Sequence, residues 1–399
     1  MGSRLQDDAL AALNGLAVEV PSWGFADTGT RFGRFHQAAA AFTIEQKLED
    51  AGFCHQLTGL CPTVAIHVLW DLRPDLPPKR LAKLARSHGV RIGSINPNLF
   101  EEQAYKFGSL AAPSEAVRQQ AVKHCLECIE IARDCRSGLI SLWLADGTNY
   151  PGQDSMLRRK RALQQSLSTI HSALGRGQRL LIEYKPFEPA FYHTDIADWG
   201  MAAAFCRHAG ARASVLVDTG HHLPGANIEQ IVRFLLDEGL LGGFHFNDRK
   251  YADDDLTLAS IDPYAVFRIF NAVAEHTWET SKTPEIAYMV DQSHNLKPKM
   301  QAMVQTLDRA ASLFLRAHLV DRKALARARR KTDIVQAERV LVEAFERDVR
   351  GLLADWRRSR GLPEDPLAAL ADSGYIERAG RERSAARAAL GAPSGSSYA

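Results

Sequence analysis

Two kinds of apolar pattern alternate along the chain. Eight short runs are close to continuously apolar: Leu16–Val20, Thr63–Val68, Val90–Ile95, Leu139–Leu144, Arg179–Glu183, Ser214–Asp218, Gly242–Phe246 and Glu285–Asp291. Runs of this length without polar alternation suit strands covered on both faces. Between most of them lie segments such as Ser114–Asp134, Met156–Leu174 and Ile228–Glu238. Their apolar residues recur at i, i+3, i+4 and i+7, the spacing of a helix with one buried face. Eight such units over about 300 residues predict an α/β fold, a (β/α)8 TIM barrel rather than an open doubly wound sheet. No G-x-G-x-x-G follows the first run, so a dinucleotide-binding sheet gains no support.

After Arg316 the texture changes to Ala, Arg, Leu and Glu. Helical patterns run through Ala324–Arg330 and Ile334–Arg360, and Gly361-Leu362-Pro363 breaks them. The expected organisation is a barrel domain over 1–315 and a helical C-terminal extension over 316–399. Basic side chains outnumber acidic ones in this tail, but the two signs are interspersed. That predicts an amphipathic arm packing on a neighbouring subunit rather than a surface for anions. Gly391–Ala399, rich in Gly, Ser and Ala, is expected to be disordered.

Composition narrows the classes of function. The chain has 46% hydrophobic and 24% charged residues with a net charge of +2, which gives no electrostatic reason for nucleic acid as a partner. No run of about 18 apolar residues would span a membrane, and MGSRLQDDAL lacks a signal core, so the cytoplasm is the expected location. Six cysteines are too sparse for a disulfide scaffold. Cys125-x-x-Cys128 has zinc or redox spacing, yet it lies in a helical pattern with no second pair after it, and reads as a buried helix face.

Four of the strand-like runs carry a metal-binding side chain at or next to their end: Glu183, Asp218, His245 and Asp291. A parallel barrel brings the carboxyl ends of all its strands to one face, so the four can converge. Carboxylates crowded together repel unless a cation joins them, which makes the set a divalent metal site. His221 follows Asp218 by three residues. Asp248 and the run Asp253-Asp254-Asp255 follow His245, and a turn there can aim Asp253 and Asp255 the same way while Asp254 points out. Asp218 could then bridge two ions, one with Glu183, His245 and Asp291, the other with His221, Asp253 and Asp255. Oxygen-rich ligation with one imidazole per ion suits Mn²⁺, Mg²⁺ or Co²⁺ better than a structural zinc. His67 ends the second run, with Trp70 and Asp71 close behind. Trp143 ends the fourth, Lys185 follows Glu183 by two, and Ser293 and His294 follow Asp291. An aromatic face suits the C–H face of a sugar, and a lysine suits its oxygens.

Longer motifs carry a resemblance. They are Val20-Pro21-Ser22-Trp23-Gly24 with Gly29-Thr30-Arg31-Phe32, Ala65-Ile66-His67-Val68-Leu69-Trp70-Asp71, and Ala145-Asp146-Gly147-Thr148-Asn149-Tyr150-Pro151-Gly152-Gln153. They continue through Glu183-Tyr184-Lys185-Pro186-Phe187-Glu188, Asp218-Thr219-Gly220-His221-His222, Gly242-Gly243-Phe244-His245-Phe246-Asn247-Asp248 and Asp291-Gln292-Ser293-His294-Asn295. Across residues 16 to 320 the chain resembles the L-rhamnose isomerases of the bacterial broad-specificity type, within the xylose-isomerase-like barrel superfamily. The resemblance implies an aldose–ketose isomerase with two divalent ions, usually Mn²⁺, in a homo-oligomer (a tetramer or dimer). It implies Glu183, Asp218, His245 and Asp291 on a structural ion, and Asp218, His221, Asp253 and Asp255 on a catalytic one. It implies catalytic parts for Asp291, His67 and Lys185, substrate contacts from Trp143, Trp70, His221 and Ser293, and Phe32 lining a neighbouring subunit's pocket. Two departures are the shorter amino-terminal segment and Tyr184, which replaces a His of some relatives and should alternate away from the pocket. The chief rival is a ketose 3-epimerase with a single metal and two glutamate bases. A barrel endonuclease would call for more histidines and a basic face. For a sugar-binding protein the many acidic ligands would be surplus.

Overall fold

The eight apolar runs pair edge to edge and close on themselves. A computed structural model describes residues 2–30, 33–293 and 296–389. Its barrel strands are β1 Val18–Pro21, β2 Thr63–His67, β3 Arg91–Asn96, β4 Leu139–Leu142, β5 Arg179–Glu183, β6 Ala213–Asp218, β7 Leu241–Phe246 and β8 Ala287–Val290. Each pairs in parallel with the next, and β8 returns to β1 with Val18 opposite Tyr288. The fold is therefore the (β/α)8 barrel that the pattern predicts, and observed boundaries differ from the predicted runs by a residue or two.

Helices α1 Ile44–Thr58, α2 Pro78–Ser87, α3 Glu115–Cys135, α4 Met156–Ala173, α5 Trp199–Ala209, α6 Ile228–Asp237, α7 Pro263–Thr280 and α8 Lys299–His318 follow the strands in turn. Several begin where a short polar side chain accepts a hydrogen bond from an otherwise unpaired amide. Thr43 takes the bond of Gln46 N, Asp198 that of Met201 N and Asp262 that of Ala265 N. Cys125 and Cys128 lie on the buried face of α3, where the helical spacing puts them, and all six cysteines are free and buried.

The period-2 alternation of the strands sets up the site. On β6, Val215 and Val217 pack outward in the main core, while Leu216 turns inward to meet Leu181 and Met289. Each fully buried side chain of this size contributes about 1.5–3 kcal/mol, enough to make a register slip costly. Two residues beyond Leu181, Leu216 and Met289, the same inward face therefore presents Glu183, Asp218 and Asp291.

After α8, helices Arg322–Arg330, Ile334–Glu346, Arg350–Ser359, Pro366–Asp372 and Tyr375–Ala389 form the C-terminal extension. Sequence pattern alone suggested an arm reaching a neighbour, but these helices bury Val340, Leu353, Trp356, Leu370 and Tyr375 in the core of their own chain. Trp356 Nε1 donates to Asn14 Oδ1 at 2.9 Å. Arg383 pairs at 2.8 Å with the fully buried Asp50, which also accepts from the Tyr375 hydroxyl at 2.6 Å. Arg387 reaches Asp27 at 3.0 Å and the carbonyls of Gln37, Ala38 and Ala40. Gly391–Ala399 lie outside the described residues. Among the described residues no helix is long and apolar enough to cross a membrane.

Candidate metal centre

At the carboxyl end of β5 to β8 the predicted ligands come together. Glu183, Asp218, His245 and Asp291 each offer one atom to a group whose members all lie within 4.8 Å of one another. His245 Nδ1 is 3.1 Å from Glu183 Oε2 and 3.8 Å from Asp291 Oδ2. Asp218, His221 and Asp253 form a second group of the same tightness, so Asp218 belongs to both. His221 sits between the groups, with Nδ1 at 3.0 Å from Glu183 Oε1 and Nε2 at 3.2 Å from Asp253 Oδ2.

Several of these approaches are close without being hydrogen bonds. Glu183 Oε1, His221 Nδ1, His245 Nδ1 and Asp253 Oδ1 are buried and have no hydrogen-bond partner. Unpaired buried acceptors are costly, and lone pairs crowded in this way are satisfied together by a cation at their centre. Carboxylates with an imidazole in each group fit a hard or borderline divalent metal. The backbone makes room: a Cβ on Gly220 would come 2.6 Å from Asn247 Oδ1 and 3.0 Å from Asp253 Oδ1. Asn247 Nδ2 and the Gly220 amide in turn donate to Asp218 and orient it. Trp23 Nε1 does the same for Asp291 Oδ1 at 2.8 Å.

The electrostatics agree. Burial raises the Glu183 carboxyl, but His245 and His221 beside it bring it down to about 2. Burial dominates at Asp218, which is pushed up to about 7, with Glu183, Asp253 and Asp291 adding to the rise against His221. Burial disfavours charge on His245, yet Glu183 and Asp291 draw it up to about 9. A cluster that recruits protons onto its imidazoles in this way is built to hold positive charge.

Around this cluster lies a cavity of about 220 Å³. Lys185, Trp143, Trp70, His67, Asp255 and Ser293 all line it, as the sequence suggested. Lys185 Nζ donates to Asp253 Oδ2 at 2.7 Å and to Glu188 at 2.9 Å, and lies 5.3 Å from the centroid of the Trp143 ring. His67 stacks on Trp70 at 3.8 Å, and burial lowers its imidazole to about 3, so the ring is neutral. Asp71 accepts from the His67 amide, from Ser22 and from Lys47, fixing that strand end. Asp255 accepts from the Ser293 hydroxyl at 2.8 Å and stands beside the second group rather than within it. Asp248 turns away and accepts from the amides of Ile261 and Asp262, while Asp254 is exposed and accepts from Lys250 N. Tyr184 does alternate outward, its hydroxyl 2.6 Å from His222 Nε2. Phe32 and His294 lie outside the described residues.

Phe100, Pro97, Asn96, Ser141 and Trp23 complete the wall and were missed as site residues. Phe100 meets the edges of Trp143 and His67. The signal for Asn96, Pro97 and Phe100 was their place just after the third run. For Ser141 it was a lone hydroxyl in the middle of a fully apolar run.

Comparison with known proteins completes the description. Residues 62–295 match the family described as xylose isomerase-like TIM barrel. The chain is 38% identical over 384 residues to a probable sugar isomerase of Rhizobium meliloti (strain 1021), covering 95% of this chain and 89% of that protein. A probable sugar isomerase of Mesorhizobium japonicum (strain LMG 29417 / CECT 9101 / MAFF 303099) gives the same identity and coverage. Among solved structures, a D-psicose 3-epimerase in the presence of D-fructose superposes with a TM-score of 0.52 at 14% identity, covering 79% of this chain and 98% of that one. That likeness is one of fold.

Proposed function

Because the chain belongs to the xylose isomerase-like TIM-barrel family, we propose that it is a metal-dependent aldose–ketose isomerase interconverting L-rhamnose and L-rhamnulose, with other aldoses as further substrates. The observation that carries this reading is the sharing of Asp218 by two donor groups. The Asp218-x-x-His221 pattern is shared with single-metal ketose 3-epimerases, and it is Asp253, completing a second group, that favours two ions and an isomerase. Glu183, Asp218, His245 and Asp291 would hold one ion, and Asp218, His221 and Asp253, with Asp255 adjoining, a second; Mn²⁺ is the proposed metal. When bound, the ions fix the oxygens of the open-chain sugar and withdraw electron density from its carbonyl.

The remaining work falls to side chains. His67, neutral and stacked on Trp70, accepts the anomeric hydroxyl proton as the ring opens and returns it to the ring oxygen. Trp143 offers its apolar face to the sugar's C–H face, and Lys185 holds a substrate oxygen. Asp291, steadied by Trp23, carries the hydroxyl proton between O2 and O1 while hydrogen passes between C2 and C1. Ser293 acts through Asp255, whose carboxylate it orients. Free, buried cysteines favour a reducing cytoplasm. A homo-oligomer, a tetramer or a dimer, is proposed from the resemblance of the motifs, with Phe32 meeting the neighbour. The test is incubation of the Mn²⁺-loaded protein with a panel of aldoses and ketoses. Interconversion at C1 and C2, with L-rhamnose among the best substrates, is expected, whereas product formed only by inversion at C3 would overturn it.

A further inference from the structure

The buried polar atoms that line the cavity and lack a hydrogen-bond partner are of two kinds. Some belong to the metal-ligand groups, namely Glu183, His221, His245 and Asp253. The others, among the described residues, are His67 Nδ1, Ser141 Oγ and Trp143 Nε1. His67 and Trp143 already have parts to play. Ser141 has none.

Ser141 occupies an inward position on β4, in register with Leu181 of β5. Leu181 on the adjacent β5, with Leu216 and Met289, fills the barrel interior beside it, and an apolar side chain is the ordinary occupant. Ser94 on β3 provides the contrast, because its hydroxyl is given to the buried Glu19 at 2.5 Å. The Ser141 hydroxyl is just as buried, with the residue only 2% exposed, and is given to nothing. A hydroxyl kept in such a place at a cost to the free protein is explained if substrate supplies its partner. Trp143, one residue beyond the end of β4, adds an indole N–H, so this strand and its end bring two unpaired groups to one wall. The donor groups that would hold the reacting end of the sugar stand at the ends of β5 to β8 and in the loops that follow, and β4 lies next to β5 with Ser141 in register two residues before Glu183.

We propose that Ser141 determines specificity: its hydroxyl, together with Trp143 Nε1, hydrogen-bonds a sugar hydroxyl on a carbon beyond the C1–C2 pair that reacts. This rests on the isomerase reading above and names the part of the substrate that the site reads. A site built to pair with a buried substrate hydroxyl rejects the analogue that lacks it.

The experiment compares the best aldose of the panel with its analogues deoxygenated singly at each hydroxyl-bearing carbon beyond C2 (C3, C4 and C5 for L-rhamnose), on wild type, Ser141→Ala and Ser141→Cys, all Mn²⁺-loaded. Wild type is expected to lose about tenfold or more in kcat/KM on one analogue. Ser141→Ala is expected to lose about as much on the parent sugar and to treat that analogue and the parent alike. Ser141→Cys, a weaker donor of similar volume, should fall between. Metal content and Tm of both variants should match wild type. Unchanged discrimination in Ser141→Ala overturns the proposal, and so does a loss of bound metal, which would make the residue structural. If wild type turns over no aldose at all, the isomerase reading fails first and takes this one with it.

Discussion

Removing metal should cost this protein both order and protons. Five carboxylates, Glu183, Asp218, Asp253, Asp255 and Asp291, converge on the cavity with Lys185 as the cavity's amino group. Formally that is five negative charges against one positive, a surplus of four, which two divalent ions would neutralise. Two like charges about 4 Å apart repel by about 4 kcal/mol at an effective dielectric of 20, so the cation-free cluster relieves itself by binding protons. Asp218 up at about 7 and His245 at about 9 mark where those protons sit. Each ion present at 100 times its Kd adds about 2.7 kcal/mol, so two add about 5 kcal/mol. At about 2.1 cal/mol/K of unfolding entropy per residue, each kcal/mol is worth about 1.2 °C for a chain of 399 residues, so Tm should rise by about 6 °C between chelator and saturating Mn²⁺. Scanning fluorimetry measures that shift, and calorimetry in buffers of different ionisation enthalpy counts the protons. Protons should be released on binding at pH 7, and affinity should weaken as pH falls, because the folded apo cluster holds protons that the metal must displace. A Tm indifferent to metal, or binding without proton release, would refute the reasoning. Asp253→Asn should reduce bound metal from two ions to one per chain, read by elemental analysis.

Other outcomes follow from single contacts. Lys185→Met removes the cation held at 2.7 Å from Asp253 and should lower kcat/KM by about 10–100-fold, with Tm nearly unchanged, in steady-state assays of the loaded enzyme. Trp23→Phe deletes the donor to Asp291 and should lower kcat by about 5–30-fold while metal content stays at wild-type level. His67, lowered to about 3 by burial, should show no protonation by NMR between pH 5 and 8, and the acid limb of the pH–rate profile should therefore belong to other groups. Arg383→Ala strands the buried Asp50 and should destabilise the fold by about 3–5 kcal/mol in urea titration, without altering metal stoichiometry.

Much of the barrel was legible because a doubly covered strand leaves a simple mark, a short apolar run. Each of the eight runs coincides with a strand, and the polar residue that ends a run falls at the cavity because inward positions repeat every second residue. Glu183, Asp218, His245 and Asp291 were readable for that reason alone. Loop geometry was less legible. Asp255 adopts a positive φ of 46° and faces Ser293, so it lies beside the second group instead of within it. Trp23 reaches Asp291 across 268 positions of sequence, a pairing that no local pattern encodes. The tail misled in one respect. Its amphipathic helices were recognisable, but a sequence does not say which apolar surface a stripe will meet, and here it is the chain's own barrel.

One late contact bears on how the protein is made. Helix Tyr375–Ala389 pins Asp27, through Arg387, across a separation of 360 positions. On a ribosome adding about 5–20 residues per second, the segment after β1 waits roughly 20–70 s for its clasp to be synthesised. During that interval the segment around Asp27 lacks this clasp while β2 to β8 assemble. Nascent chains stalled before Arg387 should thus carry a built barrel with a slack lip, a window in which proteases or chaperones can engage the segment around Asp27 before the last helix docks.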